Sequence, residues 1–181
     1  MIYVFLAEGF EEVEALTPVD VLRRAGRTVQ TVGVTGKTVS GAHGIAVQAD
    51  IEAKDIALDD ALEMIVLPGG MPGTLNLEKS DAVQAAIAFC AEHDRYLAAI
   101  CAAPSILGHL GLLRGRHAVC YPGFEDALDG AEVLTRPTVT DGRFITGRGP
   151  GAAMDFALAL TAVFCGEEFA RGLGAQMVWK V

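Results

Sequence analysis

Tyr96-Leu97-Ala98-Ala99-Ile100-Cys101-Ala102-Ala103-Pro104 is the stretch from which the fold is read. Five residues, Tyr96 to Ile100, form a short run of the kind expected of a strand buried on both faces. One chemically reactive side chain follows at once. Small residues come next, and then Pro104, which is tolerated in the first turn of a helix that should run to about Leu110. Strand, cysteine and helix in immediate succession make an elbow. Such a turn lifts its central side chain to the edge of a sheet, and only small neighbours leave room for it.

The pattern repeats on either side. Ile2-Tyr3-Val4-Phe5-Leu6 is a second buried strand, followed by Val13, Leu16, Val19 and Leu22 at helical spacing, with Pro18 interrupting and a stop at Ala25-Gly26. Thr28 to Val34 predicts a strand, and Lys37 to Gln48 a hairpin turning at Gly41-Ala42-His43-Gly44. Met64 to Leu67 is another buried strand, ending at Pro68-Gly69-Gly70. Ser80 caps a helix that reaches His93 and places Val83, Ala86, Ile87 and Cys90 on one face. Short strands are expected at His117–Cys120, Glu132–Leu134 and Phe144–Thr146. A long helix should cover about Ala152 to Phe164, and a short helix and coil the tail from Glu167 to Val181. Strands alternating with helices imply a three-layer, doubly wound α/β fold, a mostly parallel sheet with helices on both faces. We see no repeat or linker, so 1–181 is expected to form a single domain.

Composition removes several functions. Of 181 residues 51% are apolar and 20% charged, which is globular rather than disordered. Fourteen basic against 23 acidic residues leave a net charge of −9 with no basic block, so nucleic acid and anionic lipid are not expected partners. The richest late apolar stretch, Phe156 to Cys165, is half of the about 20 residues needed to cross a membrane. Met1 runs directly into a strand with no signal-peptide pattern, which points to the cytoplasm. No two of Cys90, Cys101, Cys120 and Cys165 have CxxC spacing, and His43, His93, His109 and His117 do not accompany them in ligand patterns. Neither a zinc site nor a disulfide is expected, and the thiols should be free.

In this fold class ligands bind beyond the carboxyl ends of the strands, and three segments there carry chemistry. Cys101 at the elbow is a candidate nucleophile whose pKa a following helix N-terminus should lower; the competing reading is a buried cysteine serving as a small hydrophobe. Cys90 and Cys165 read as structural, and Cys120 as either core or crevice lining. Glu11 and Glu12 suit the positive end of a helix. Glu14 lies between Val13 and Ala15, less comfortably; buried beside a thiol it would donate a hydrogen bond when protonated or act as the general base. Gly69-Gly70 lacks the spacing of a nucleotide-binding loop. Its N–H groups form either an oxyanion hole or a plain tight turn. Arg148-Gly149-Pro150-Gly151 reads as the structural opening of the last helix.

Glu11 to Asp20, Val66 to Gly70, Ala98 to Pro104 and Gly147 to Gly151, in that order, resemble the ThiJ/PfpI superfamily and within it the DJ-one-like branch, over about Met1 to Phe164. The resemblance implies a flavodoxin-like sandwich, a homodimer, a reactive Cys101 hydrogen-bonded to a protonated Glu14, and oxyanion donors at Gly69, Gly70 and Ala102. It implies cofactor-free chemistry on reactive aldehydes, of the glyoxalase III or deglycase kind (lyase or hydrolase). The alternative is an oxidative-stress sensor or chaperone that uses oxidation of Cys101. Tyr121 departs from the family pattern: in Cys120-Tyr121-Pro122 it stands where the family's histidine would. That disfavours a cysteine peptidase and leaves Glu14 as the obvious proton shuttle, since tyrosine, with an unperturbed pKa of about 10, is a poor base at neutral pH. His43 reads as a solvated turn histidine, the alternative being contact with a partner subunit's site.

Overall fold

The computed structural model describes residues 1–180; Val181, the end of the expected tail, lies outside them. The elements in chain order are β1 (Ile2–Leu6), α1 (Glu12–Arg24), β2 (Val29–Gly33), β3 (Thr38–Ser40), β4 (Ala46–Gln48) and β5 (Ile51–Glu52). Then come β6 (Met64–Leu67), α2 (Gly73–Glu78), α3 (Asp81–Glu92), β7 (Tyr96–Ile100), α4 (Pro104–His109), β8 (His117–Ala118) and β9 (Glu132–Val133). The chain closes with β10 (Thr138–Asp141), β11 (Phe144–Gly147), α5 (Ala153–Cys165) and α6 (Glu167–Gln176).

Seven strands form one sheet in the order β10-β11-β7-β6-β1-β2-β5. Every pairing is parallel except β10 with β11. Side chains alternate between faces, as the period of two requires. Tyr3, Phe5, Ile65, Leu67 and Leu97 pack with Val83, Ile87 and Ile106 on one face, beneath α3 and α4. Ile2, Val4, Leu6, Val66, Ala98 and Ile100 pack with Ala15, Leu22, Phe156 and Leu160 on the other, beneath α1 and α5. This is the expected flavodoxin-like sandwich. The strand order reverses between β1 and β6, because the chain leaves β1 for β2 on one side and returns to β6 on the other. A crevice opens at such a switch point.

The hairpin forms as read, Gly41 N–H bonding to the Ile45 carbonyl across the turn. Three elements escape the sequence reading: β5, α2 and β10. β5 has two residues, α2 has six and no side-chain cap, and β10 is a four-residue antiparallel strand at the sheet's edge. Elements this short carry too few periodic positions to be recognised. His117–Ala118 and Glu132–Val133 are shorter than expected and pair with each other outside the main sheet.

Helix α1 departs most. Pro18 was expected to break the pattern, yet the helix runs through it; Pro18 simply withholds the N–H that Glu14's carbonyl would have accepted. Val13 and Leu16, expected on the core face, are 49% and 38% exposed. Glu12 and Glu14 point inward instead, together with Ala15, Val19 and Leu22. Two buried carboxylates have displaced two apolar residues from the protein's interior, and each needs polar partners there.

Candidate functional site

Strands β1, β6 and β7 end at one edge, and each contributes a segment. After β7 the backbone turns at Cys101 with φ +67°, a conformation unfavourable for a side-chain-bearing residue. The turn is pinned on both sides. Cys101 N–H donates to the Gly147 carbonyl at 2.9 Å, and Tyr121 N–H donates to the Cys101 carbonyl at 2.8 Å. The elbow expected from the sequence is therefore present, and it is strained.

After β6, Gly69 N–H donates to Glu14 Oε2 at 2.9 Å. A Cβ on Gly69 would come within 2.7 Å of both Cys101 Cβ and Glu14 Oε2, so only glycine leaves room for the two side chains to meet. The Glu14 carboxyl lies beside the Cys101 thiol and is coupled to it, and its Oε1 is buried with no hydrogen-bond partner. Gly69's donor is thus committed to the carboxyl. The N–H groups that act on the sulfur are those of Gly70 and Ala102.

The electrostatics differ from the expectation at Cys101. Burial pushes its thiol up to about 12, and the Glu14 carboxylate adds to the rise; the Ala102 and Gly70 N–H groups pull the other way. Helix α4 has only six residues and starts three positions later, too little to reverse burial and a neighbouring negative charge. Burial likewise raises Glu14 to about 7, with Glu11 adding repulsion and the Cys101 and Gly69 hydrogen bonds opposing it. The two groups titrate as a pair: a first proton leaves near neutrality, a second only in strong alkali. The first proton comes from Glu14, so the single negative charge rests on the carboxylate beside a protonated thiol; the two N–H donors offset only part of what burial and that carboxylate do to Cys101.

Gly70, Met71, Cys101, Ala102, Tyr121 and Pro150 are among the walls of a cavity of about 220 Å³ over this pair. Glu11 and Phe124 also face it, and sequence reading missed these, as well as Met71 and Pro150, because nothing in their local pattern marks them. The Tyr121 ring, half exposed, rests where a Cβ on Gly149 would sit, at 3.1 Å. Cys120 is buried in the core and outside the cavity, and burial raises its thiol to about 11. Cys90 is core, as read. All four thiols are free.

No histidine lines the cavity among the described residues. His109 pairs with Glu78 and His117 with Asp141, while His93 stacks on Phe89. His43 is exposed but not merely solvated: its Nδ1 lies 2.8 Å from Glu12 Oε2, and its N–H donates to Glu12 Oε1. Glu12 thereby holds the hairpin to α1. Burial pushes Glu12 up, but the hydrogen bonds from His43 and Ile45 outweigh it and hold the carboxyl below its ordinary value. Glu11, Glu12 and His43 are also the one group with metal-ligand spacing among the described residues, their donor atoms within 4.8 Å. These hydrogen bonds account for the arrangement without an ion. Among the described residues no helix is long and apolar enough to cross a membrane.

Comparison with known proteins places this site in context. Residues 1–163 match the model of the DJ-1/PfpI family. Protein DJ-1 homolog B of Arabidopsis thaliana is 35% identical over 97% of the chain, which spans only 40% of that protein's length. The Parkinson disease protein 7 homolog of Danio rerio is 34% identical over 98% of the chain and 96% of its own length. A protein of Pyrococcus abyssi named as a deglycase is 32% identical over 83% of the chain and 90% of its own length. Among solved structures, oxidized DJ-1 from Toxoplasma gondii superposes with a TM-score of 0.94 at 32% identity, covering 99% of this chain and 98% of that one.

Proposed function

The chain belongs to the DJ-1/PfpI family, and from that premise and the geometry of its site we propose that it is a cofactor-free thiol enzyme acting on reactive 2-oxoaldehydes, of the glyoxalase III or deglycase kind. One observation carries the reading: a cysteine held at φ +67° beside a buried carboxyl whose pKa is about 7, under a small cavity. A strained nucleophile next to a near-neutral proton acceptor is what covalent catalysis at a carbonyl requires.

Glu14 takes the thiol proton, and the Cys101 sulfur bonds to the aldehyde carbon to give a hemithioacetal. The oxyanion that forms faces the Gly70 and Ala102 N–H groups and takes the thiol's proton back from Glu14, which frees the carboxylate again. Glu14 then carries the proton from the former aldehyde carbon to the neighbouring ketone carbon through an enediolate. The product is a thioester of a 2-hydroxy acid, which water cleaves to the free acid and the thiol. One carbon is oxidised and its neighbour reduced within the same molecule, so no redox cofactor is needed. Lactate formation from methylglyoxal by purified protein, beside Cys101→Ser, tests the reading.

Tyr121 borders the cavity at the position where the family pattern has a histidine. A histidine there would titrate near neutrality, and a well-placed acid–base group is worth about a hundredfold or more. Tyr121→His is therefore expected to raise kcat/KM for methylglyoxal, and Tyr121→Phe to change it little. Loss of turnover in Tyr121→Phe would make the tyrosine itself catalytic.

A second reading uses the same pair. Two equivalents of peroxide would convert Cys101 to the sulfinate, with Glu14 donating a charge-assisted hydrogen bond to it. The otherwise unpartnered Glu14 Oε1 favours it, and so does the oxidized state in which the Toxoplasma gondii relative was solved. Either reading needs a free thiol and suits the reducing cytoplasm.

We further propose that the exposed Val13 and Leu16 on α1 are covered by a second copy of the chain. Light scattering at micromolar concentration should give twice the 19.0 kDa chain mass, and Leu16→Glu should halve it. A monomer mass for the unmodified protein rejects the dimer.

A further inference from the structure

A second cavity adjoins the one over Cys101. It measures about 420 Å³ and shares two walls with the first, Tyr121 and Pro150. Ligand pockets commonly span about 300–1,000 Å³. The second cavity lies in that range, and the first, at about 220 Å³, is about half its size. Tyr121, whose ring lies against Gly149, faces both of them.

The walls of the larger cavity combine apolar surface with one available charge. Tyr121, Pro122, Pro137 and Pro150 are stiff and largely apolar. Two charged residues face it, Arg148 and Asp155. Asp155 is already paired, its Oδ1 accepting from Lys180 Nζ at 2.6 Å. Arg148 Nη1 donates to the Thr135 carbonyl at 3.3 Å, and among the described residues no carboxylate lies within ion-pair distance of it. A guanidinium has five N–H donors in a planar fork that matches a carboxylate. In a chain of net charge −9, an anionic substrate is repelled unless such a group receives it.

Resting on the aldehyde chemistry proposed above, we infer that the larger cavity binds the remote end of a longer 2-oxoaldehyde that ends in a carboxylate, with Arg148 receiving the carboxylate while the aldehyde carbon lies over Cys101. Methylglyoxal, which has no such tail, fills only the smaller cavity. Sequence reading took Arg148 for part of a helix-opening turn. The structure places it two residues from Pro150, the wall that both cavities share.

The test compares 4,5-dioxopentanoate with 2-oxopentanal, which has the same five-carbon chain and no charge. Hydrogen bonds to a charged group are each worth enough to shift affinity by about tenfold or more. The unmodified protein should favour the charged substrate in kcat/KM by at least about that factor. Arg148→Gln should collapse the ratio of the two kcat/KM values to about one, and Arg148→Lys, keeping the charge without the fork, should restore part of it. An equal ratio in the unmodified protein, or an unchanged ratio in Arg148→Gln, overturns the assignment. If neither aldehyde is turned over, the proposed chemistry fails, and binding then decides the site independently. Calorimetry should show 2-hydroxyglutarate binding more tightly than 2-hydroxypentanoate to the unmodified protein and equally to Arg148→Gln. Equal binding of the two acids by the unmodified protein rejects the site.

Discussion

Cys101→Ser is expected to abolish lactate formation from methylglyoxal, a loss of about a thousandfold or more, as removal of a covalent nucleophile causes elsewhere. The reason lies in the match between nucleophile and base. Among the described residues Glu14, at about 7, is the buried carboxyl beside residue 101, and it can exchange a proton with a thiol. A serine hydroxyl holds its proton far more tightly, so the same carboxylate leaves it neutral. The two N–H groups of Gly70 and Ala102 would then face an uncharged oxygen. The elbow itself should survive, because serine and cysteine carry the same branching at φ +67°. Cys90→Ser is the control: Cys90 lies on α3 in the core, so that variant should keep its rate even if it loses stability. Lactate measured enzymatically for the three proteins checks the expectation. A Cys101→Ser enzyme within about tenfold of the unmodified one would remove the sulfur from the mechanism.

Glu14→Gln should slow turnover by about 10²–10⁴-fold, the usual worth of a positioned acid–base group, and at the same time make the protein more stable at pH 8. The sign of the second effect follows from the raised pKa. Glu14 titrates near 4.5 when unfolded and near 7 when folded. Below pH 4.5 the carboxyl is neutral in both states and costs nothing. Between pH 4.5 and 7 the unfolded chain releases its proton first, so stability falls as pH rises, and the deficit persists above 7. A shift of this size corresponds to roughly 3 kcal/mol. Glutamine cannot ionise, can still accept the Gly69 N–H through its carbonyl, and avoids the cost. Urea unfolding should therefore give similar stabilities for Glu14→Gln and the unmodified protein at pH 4, and a clear advantage for the variant at pH 8. The acid limb of kcat/KM near pH 7 should vanish in the variant as well. A stability difference that does not change between pH 4 and 8 would place the carboxyl in water rather than against the sulfur.

The strands that carry the site were legible because continuous apolar runs of four or five residues leave little choice. Ile2–Leu6, Met64–Leu67 and Tyr96–Ile100 form as read. Cys101 stood out because a strand-to-helix elbow lifts its side chain to the sheet edge, while a buried cysteine serving as a small hydrophobe fitted the same local pattern. Glu14 stood out because it lies between Val13 and Ala15; the structure turns it inward with Ala15, Val19 and Leu22 and leaves Val13 and Leu16 exposed. Short elements such as α2 and β10 were not legible, since six or four residues set no period.

The sequence by itself determined the parallel sheet and the elbow at Cys101, because these depend on local periodicity and on residue type, whereas Glu14 as the partner of Cys101 followed from the family resemblance. Only the tertiary structure decided how that pair behaves. Its closeness across 87 positions of chain is set by where β1, β6 and β7 end and by the absence of a Cβ at Gly69. The direction of the Cys101 shift, upward where the local helix argued for downward, comes from burial and from a carboxylate on another element. Whether Arg148 at the second cavity has an ion-pair partner depends on which carboxylates come near it, and its use of the Thr135 carbonyl is likewise a product of folding. Solvation and electrostatic coupling are properties of the space around a group, and a one-dimensional pattern contains the groups without that space.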